Sequence, residues 1–143
     1  MYPLRLPFIV SILMLTACAQ SPGNLALDSA KLQQSSWVLE SIDGQKLEIG
    51  AQKRPKLKLN EKLQARGYAG CNSFFGQLEI QGSRLRIDKM GMTLMFCPVP
   101  QQDWEDAVRG TLGEWSRAQL QGRQLRLQGT QHELLFNARE PLN

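Results

Sequence analysis

The sequence predicts an α+β fold: a strongly bent, mostly antiparallel β-sheet, half-barrel-like, with one α-helix packed against it. Three observations carry this. From Ser36 onward, apolar and polar residues alternate in short runs, the period of half-buried strands. Turn-forming sites punctuate the runs at Asp43-Gly44, Gly82-Ser83, Gly122 and Gly129-Thr130, which suits antiparallel hairpins. A single stretch, Gln101 to Ala118, changes to helical spacing.

The strands follow in order. Trp37 and Leu39 share the first face, and Leu57 and Leu59 alternate with Lys56 and Lys58. Phe74, Leu78 and Ile80 share a face, with Phe75, Gln77 and Glu79 opposite. Leu85 and Ile87 alternate with Arg84, Arg86 and Asp88, and Leu125 and Leu127 flank Arg126. His132, Leu134 and Phe136 close the series. In the helix, Trp104, Val108, Leu112 and Trp115 form an apolar stripe. Asp103, Glu105 and Asp106 near its start and Arg117 near its end suit the helix dipole. Pro98 and Pro100 bar extension backwards. Gly110 and Gly113 weaken the interior, which implies close backbone packing on the sheet. Met90, Met92, Met95 and Phe96 form a soft apolar run expected to fill the core.

A chain of 143 residues suits one domain. With 42% hydrophobic and 21% charged residues it is neither disordered nor an integral membrane bundle. The first residues set the compartment. Arg5 precedes the apolar run Leu6 to Leu15, the layout of a secretory signal. That run is shorter than the roughly 20 residues of a membrane-spanning helix. Leu15-Thr16-Ala17-Cys18 resembles the bacterial lipobox, in which small residues precede a cysteine that is diacylated and becomes the mature N-terminus. The alternative is an ordinary signal with a chance cysteine. The expected organisation is a lipoprotein signal peptide over 1–17, a lipidated N-terminus and tether over 18–35, and a folded domain over 36–143. Leu25 and Leu27 adding an edge segment to the fold is the rival to a simple tether. Each acyl methylene buried contributes about 0.8 kcal/mol of anchoring. Ala19, by resemblance to proteobacterial sorting, implies the outer membrane, facing the periplasm.

Lipidation of Cys18 leaves Cys71 and Cys97, an even pair in an oxidising compartment. A structural disulfide is expected if the sheet brings Gly70-Cys71 beside the segment entering the helix. A redox motif would want C-x-x-C spacing and a zinc site four ligands.

The residues around these cysteines resemble the META domain, or HslJ-like, family. Its pattern runs W-x-L, then G-C-N-x-x-x-G, then T-x-M-x-C before a helix bearing an acidic residue. Here Trp37-Val38-Leu39 opens, Gly70-Cys71-Asn72 leads to Gly76, and Thr93, Met95 and Cys97 precede a helix carrying Glu105. Gln124–Leu127 and Glu133–Phe136 supply the final strand pair, so the resemblance spans about residues 36 to 137. Two positions depart from the pattern: Gln77-Leu78 where an aromatic is frequent, and Phe96 where Ala is common. The resemblance implies the bent sheet with one helix and supplies no catalytic residues. It also implies association with heat-inducible envelope lipoproteins, secretion or virulence.

The residues themselves give no reaction. His132 is the single histidine, and no G-x-S-x-G, H-E-x-x-H or phosphate-cradling loop occurs. No catalytic residue, cofactor or metal is expected. Asn72 reads as a cap on a neighbouring element. Its rival reading places Asn72 and Thr93 beside a cleft as polar contacts for a ligand, and the alternative for the apolar run has residues such as Met92 and Phe96 line a groove for a lipid tail or partner helix. Residues 45–90 carry ten Lys/Arg against four Asp/Glu. Lys53, Arg54, Lys56, Lys58, Lys62 and Arg66 make either a soluble, aggregation-resistant strand edge or a patch for anionic lipid. The compartment excludes nucleic acid as a partner. The reading is a non-enzymatic envelope lipoprotein, bound to membrane lipid through Cys18 and to an envelope protein, acting in stress tolerance, assembly or secretion. The alternative is a module binding lipid or a small hydrophobe.

Overall fold

In the computed structural model, residues 26–140 are described. The expected signal peptide and lipobox, with Cys18, lie outside them. The chain runs α1 (Ser29–Gln33), β1 (Ser36–Ile42), β2 (Gln45–Lys46), a 3₁₀ turn (Ala51–Lys53), β3 (Lys56–Leu59), β4 (Gln64–Tyr68), β5 (Ser73–Gln81) and β6 (Arg84–Met92). It continues through α2 (Gln101–Gly113), β7 (Ser116–Gln121), β8 (Gln124–Gln128) and β9 (Glu133–Arg139). No helix among the described residues is long and apolar enough to cross a membrane.

The sheet goes beyond a half-barrel. Strands β3 to β9 pair in sequence order, and β1 pairs with both β3 and β9. All pairings are antiparallel. Eight strands therefore close on themselves, a size whose interior is filled by side chains. Inward positions are occupied by Leu39, Leu57, Leu59, Phe74, Leu78, Ile87, Leu125, Leu127, Leu134 and Phe136, all buried in one core. The weakest seam is β6–β7, held by the two register pairs Arg84↔Arg117 and Leu85↔Ser116. Helix α2 connects these strands and packs against β6 and β9, adding Ala107, Val108 and Leu112 to the core.

Some boundaries differ from expectation. Residues 28–35, expected in the tether, belong to the domain. The Asp28 carboxylate caps α1 by accepting from the N–H groups of Ala30 and Lys31, and Leu32 is fully buried. The indole N–H of buried Trp37 donates to the Leu32 carbonyl at 2.9 Å, giving the largest core side chain a partner for its one polar atom. Helix α2 ends at Gly113, so Trp115 and Arg117 lie beyond it and Arg117 is in β7. The Trp115 ring lies beneath the guanidinium groups of Arg84 and Arg86, 5.7 and 4.9 Å from its centroid. Gly110 and Gly113 do not mark close packing: a Cβ on either would meet nothing within 4 Å.

Candidate functional site

The family-motif residues converge where β5 begins, β6 ends and α2 starts. Gly70 makes the turn into β5 with φ +118°, a conformation glycine adopts without strain. It also lets the chain pass α2, since a Cβ there would sit 3.3 Å from Trp104 Cβ. The Tyr68 hydroxyl donates to the Gly70 carbonyl at 2.7 Å. Cys71 is then bonded to Cys97, with Cα atoms 5.8 Å apart, so the expected disulfide is present.

Asn72 is 2% exposed, and its amide joins three segments. Its Oδ1 accepts from the Thr93 hydroxyl at 2.8 Å and the Met95 N–H at 2.7 Å. Its Nδ2 donates to the Met95 carbonyl at 3.0 Å and to Glu105 Oε1 at 3.1 Å, with Cys97 Sγ at 3.2 Å. Its backbone N–H donates to Glu105 Oε2 at 2.8 Å. The Thr93 hydroxyl in turn accepts from the Ser73 N–H at 3.1 Å. The side-chain amide thus uses both acceptor sites and both donors, the full inventory of an asparagine. This is more than the cap expected of it, and burial removes it from any groove.

Glu105 is buried, not a surface acid matched to the helix dipole. Its charge is held by the two Asn72 donors, which a buried carboxylate requires. Cys71, Cys97 and Glu105 have ligand atoms within 4.8 Å of one another. With the two sulfurs bonded to each other, neither is the thiolate a metal would need, so the cluster is structural. Gly76, which closes the G-C-N-x-x-x-G stretch, lies opposite a β-bulge between β5 and β6. A Cβ there would collide with the Ile87 side chain and lie 2.8 Å from the Asp88 carbonyl.

This knot displays the segment it holds. Leu94 is 97% and Phe96 95% exposed, with Met95 and Val99 also largely in solvent. The expectation that Met95 and Phe96 fill the core is therefore overturned. Asn72 bonds both backbone groups of Met95, which pins the segment between β6 and α2 and turns the side chains outward. The expected groove separates accordingly. Met90 and Met92 line a cleft of about 340 Å³ between β6 and α2, with Thr93, Leu94, Gln102 and Arg109, while Phe96 stands apart from it.

The basic patch loses Arg54. Its guanidinium, half-buried, donates to the Ile49 and Leu47 carbonyls at 2.9 and 3.1 Å and to Glu40 Oε2 at 2.6 Å. It staples the loop before β3. Lys53, Lys56, Lys58, Lys62 and Arg66 are exposed. They guard no free edge, because β3 is paired on both sides. His132 lies beside Asp43, Nδ1 to Oδ2 2.7 Å, and the Glu133 N–H donates to Asp43 Oδ1 at 2.8 Å. That backbone bond first, and the His132 contact second, hold the Asp43 carboxyl below its ordinary range.

A closed antiparallel barrel, one packed helix and a buried asparagine–glutamate knot beside a disulfide define an α+β barrel domain with an exposed apolar tip. The chain belongs to the META domain family, whose model matches residues 30–141. It is 26% identical to heat shock protein HslJ of Escherichia coli (strain K12) over 137 residues, 95% of this chain and 96% of that protein. A protein structure determined by NMR superposes with a TM-score of 0.71 at 25% identity, covering 82% of this chain and 99% of the other. A second NMR structure, of a protein from Burkholderia xenovorans, gives 0.61 at 23% identity, covering 78% and 86%. It shares the fold.

Proposed function

We propose that this META-domain protein is a non-enzymatic lipoprotein of the bacterial envelope, anchored through acylated Cys18 in the outer membrane and facing the periplasm. It binds envelope proteins in assembly, secretion or stress tolerance. The observation that carries the reading is the tip: Leu94, Met95, Phe96 and Val99 stand in solvent on a backbone fixed by Asn72 and the disulfide. Exposed apolar side chains cost solubility, and a preordered segment binds without first losing conformational freedom. The polar groups that converge, Asn72, Thr93 and Glu105, are committed to one another, which supports binding over catalysis. The heat-shock name of the HslJ relative supports a role under stress.

Photo-crosslinking in cells tests this. A crosslinker at position 96 should repeatedly capture one envelope protein, and the same group at exposed Gln124 should not. Loss of the adduct in a Leu94→Ser/Phe96→Ser background is expected, and no specific adduct from position 94, 96 or 99 would refute the reading. Cys18→Ala should move the protein from the membrane to the soluble fraction. A second reading, a module for a small apolar ligand, draws on the Met90/Met92 cleft. It predicts a bound amphiphile on native mass spectrometry of the detergent-free protein.

A further inference from the structure

A second surface, independent of the tip, lies along the outside of β4 and β5. A groove of about 790 Å³ is lined there by the outward side chains Gln64, Arg66, Ser73, Phe75 and Gln77, within the range of about 300–1,000 Å³ that holds small ligands. The sheet register places Lys58, Arg66, Phe75 and Gly91 in one row across four strands. Phe75 is 60% exposed, and its ring lies over Gly91, which has no side chain to displace it.

The polar groups of the groove are held but not used up. Gln77 donates its amide to the Lys62 and Leu63 carbonyls at 3.0 and 3.3 Å, which fixes the side chain and leaves its oxygen free to accept. Gln64 Oε1 accepts from Asn60 Nδ2 at 2.7 Å, leaving its NH₂ free to donate. Among the described residues, Arg66 and Lys58 take part in none of the side-chain hydrogen bonds or ion pairs found elsewhere on the barrel. Among the described residues, no acidic side chain lines the groove.

We infer that this groove binds an acidic saccharide. The apolar face of a pyranose ring packs on the Phe75 ring, and the fixed amides of Gln64 and Gln77, with the Ser73 hydroxyl, pair with sugar hydroxyls. A phosphate or carboxylate on the sugar takes Arg66 as a bidentate partner, with Lys58 as a second cation in the row. Free phosphate would leave the aromatic platform and both amides idle. A lipid tail would leave the Arg66 charge and the Gln64 and Gln77 amides that line the open groove without partners.

Calorimetric titration of the full chain distinguishes these cases, with a phosphorylated hexosamine disaccharide as probe. It should bind about tenfold more tightly than the unphosphorylated disaccharide and than inorganic phosphate. Arg66→Gln should reduce binding to the level of the unphosphorylated sugar. Phe75→Ser should weaken both sugars about fivefold. Arg66→Gln should unfold at the parent temperature, since its side chain faces solvent, and Phe75→Ser somewhat below it, since the ring gives up its contact over Gly91, so binding is read well below both transitions. Arg66→Lys should recover only part of the loss, because a lysine cannot make the planar paired contact. Equal binding of inorganic phosphate would reveal an adventitious anion site. Binding confined to phosphatidylglycerol vesicles would reveal a lipid surface, and equal binding of a single-stranded oligonucleotide would reveal a general polyanion surface. Each of these, or the absence of any heat with the disaccharide, overturns the assignment.

Discussion

Replacing Asn72 with alanine tests whether the G-C-N motif is a structural knot. The substitution deletes four hydrogen bonds: from the Thr93 hydroxyl and Met95 N–H, and to the Met95 carbonyl and Glu105 Oε1. Neutral bonds contribute about 1 kcal/mol each, and bonds to a charged group about 1.5–3 kcal/mol. The losses are not additive. Thr93 and Met95 lie in solvent-accessible chain and can recruit water, whereas Glu105 stays buried with only the Asn72 N–H. We therefore expect a net loss of about 3 kcal/mol. Urea unfolding followed by tryptophan fluorescence should show the lower midpoint with an unchanged slope. Amide exchange at Met95 should accelerate far more than exchange in β8. Asn72→Asp provides the sharper contrast, since it keeps the acceptors but places a second carboxylate against Glu105. Its penalty should exceed that of alanine at neutral pH. A loss under about 1 kcal/mol in both variants would refute the knot.

Three further outcomes follow from the geometry. Gly76→Ala should cost about 3 kcal/mol, because the new methyl meets the Ile87 side chain and the Asp88 carbonyl. Gly110→Ala, in open space on α2, should instead stabilise by about 0.5–1 kcal/mol, and equal thermal shifts in the two would contradict the packing described. Replacing both Cys71 and Cys97 with serine should lower stability by about 3–4 kcal/mol, from release of a loop spanning 26 positions, as read from urea midpoints. Asp43 has a lowered carboxyl pKa, so its stabilising contribution is complete above the ordinary carboxylate range and is lost as pH falls through the lower, folded value. Asp43→Asn keeps an acceptor for the Glu133 N–H and tolerates the left-handed conformation at φ 51°. It should flatten the stability profile below about pH 4 by lowering stability at neutral pH toward the acid level, the Glu133 bond limiting the loss; an unaltered acid limb would contradict the assignment.

Local pattern revealed the elements whose inward residues are large. β1, β3, β5, β6, β8 and β9 all show period two because Trp37, Leu57, Phe74, Ile87, Leu127 and Phe136 face the core. β4 escaped notice because its inward residues are Ala65 and Gly67, small since the Phe74 ring occupies the space a side chain at Gly67 would need. The end of α2 was overrun because Trp115 falls on the helical stripe by spacing, while the chain has already turned toward β7. At the site, the two motifs and the disulfide were legible. The burial of Glu105 was not, because an acid near the start of a helix reads as a surface charge until a distant asparagine covers it. The outward display of Phe96 was hidden for the converse reason: composition suggests core, and only the bonds from Asn72 turn the segment around. Pairing of β1 with β9 is invisible to any local window, which is why a half-barrel was expected in place of a closed one.

That last pairing has a consequence for the nascent chain. The first strand of the barrel is completed by β9, so β1 keeps an unpaired flank until Glu133–Arg139 is available. A chain ending before Glu133 exposes two bare strand flanks, on β1 and β8, together with the inner leucines they were to cover. Such flanks template association between molecules, and pairing across nearly the whole chain forms late. The final seven-residue strand acts as the latch that decides whether a newly made molecule stays solitary.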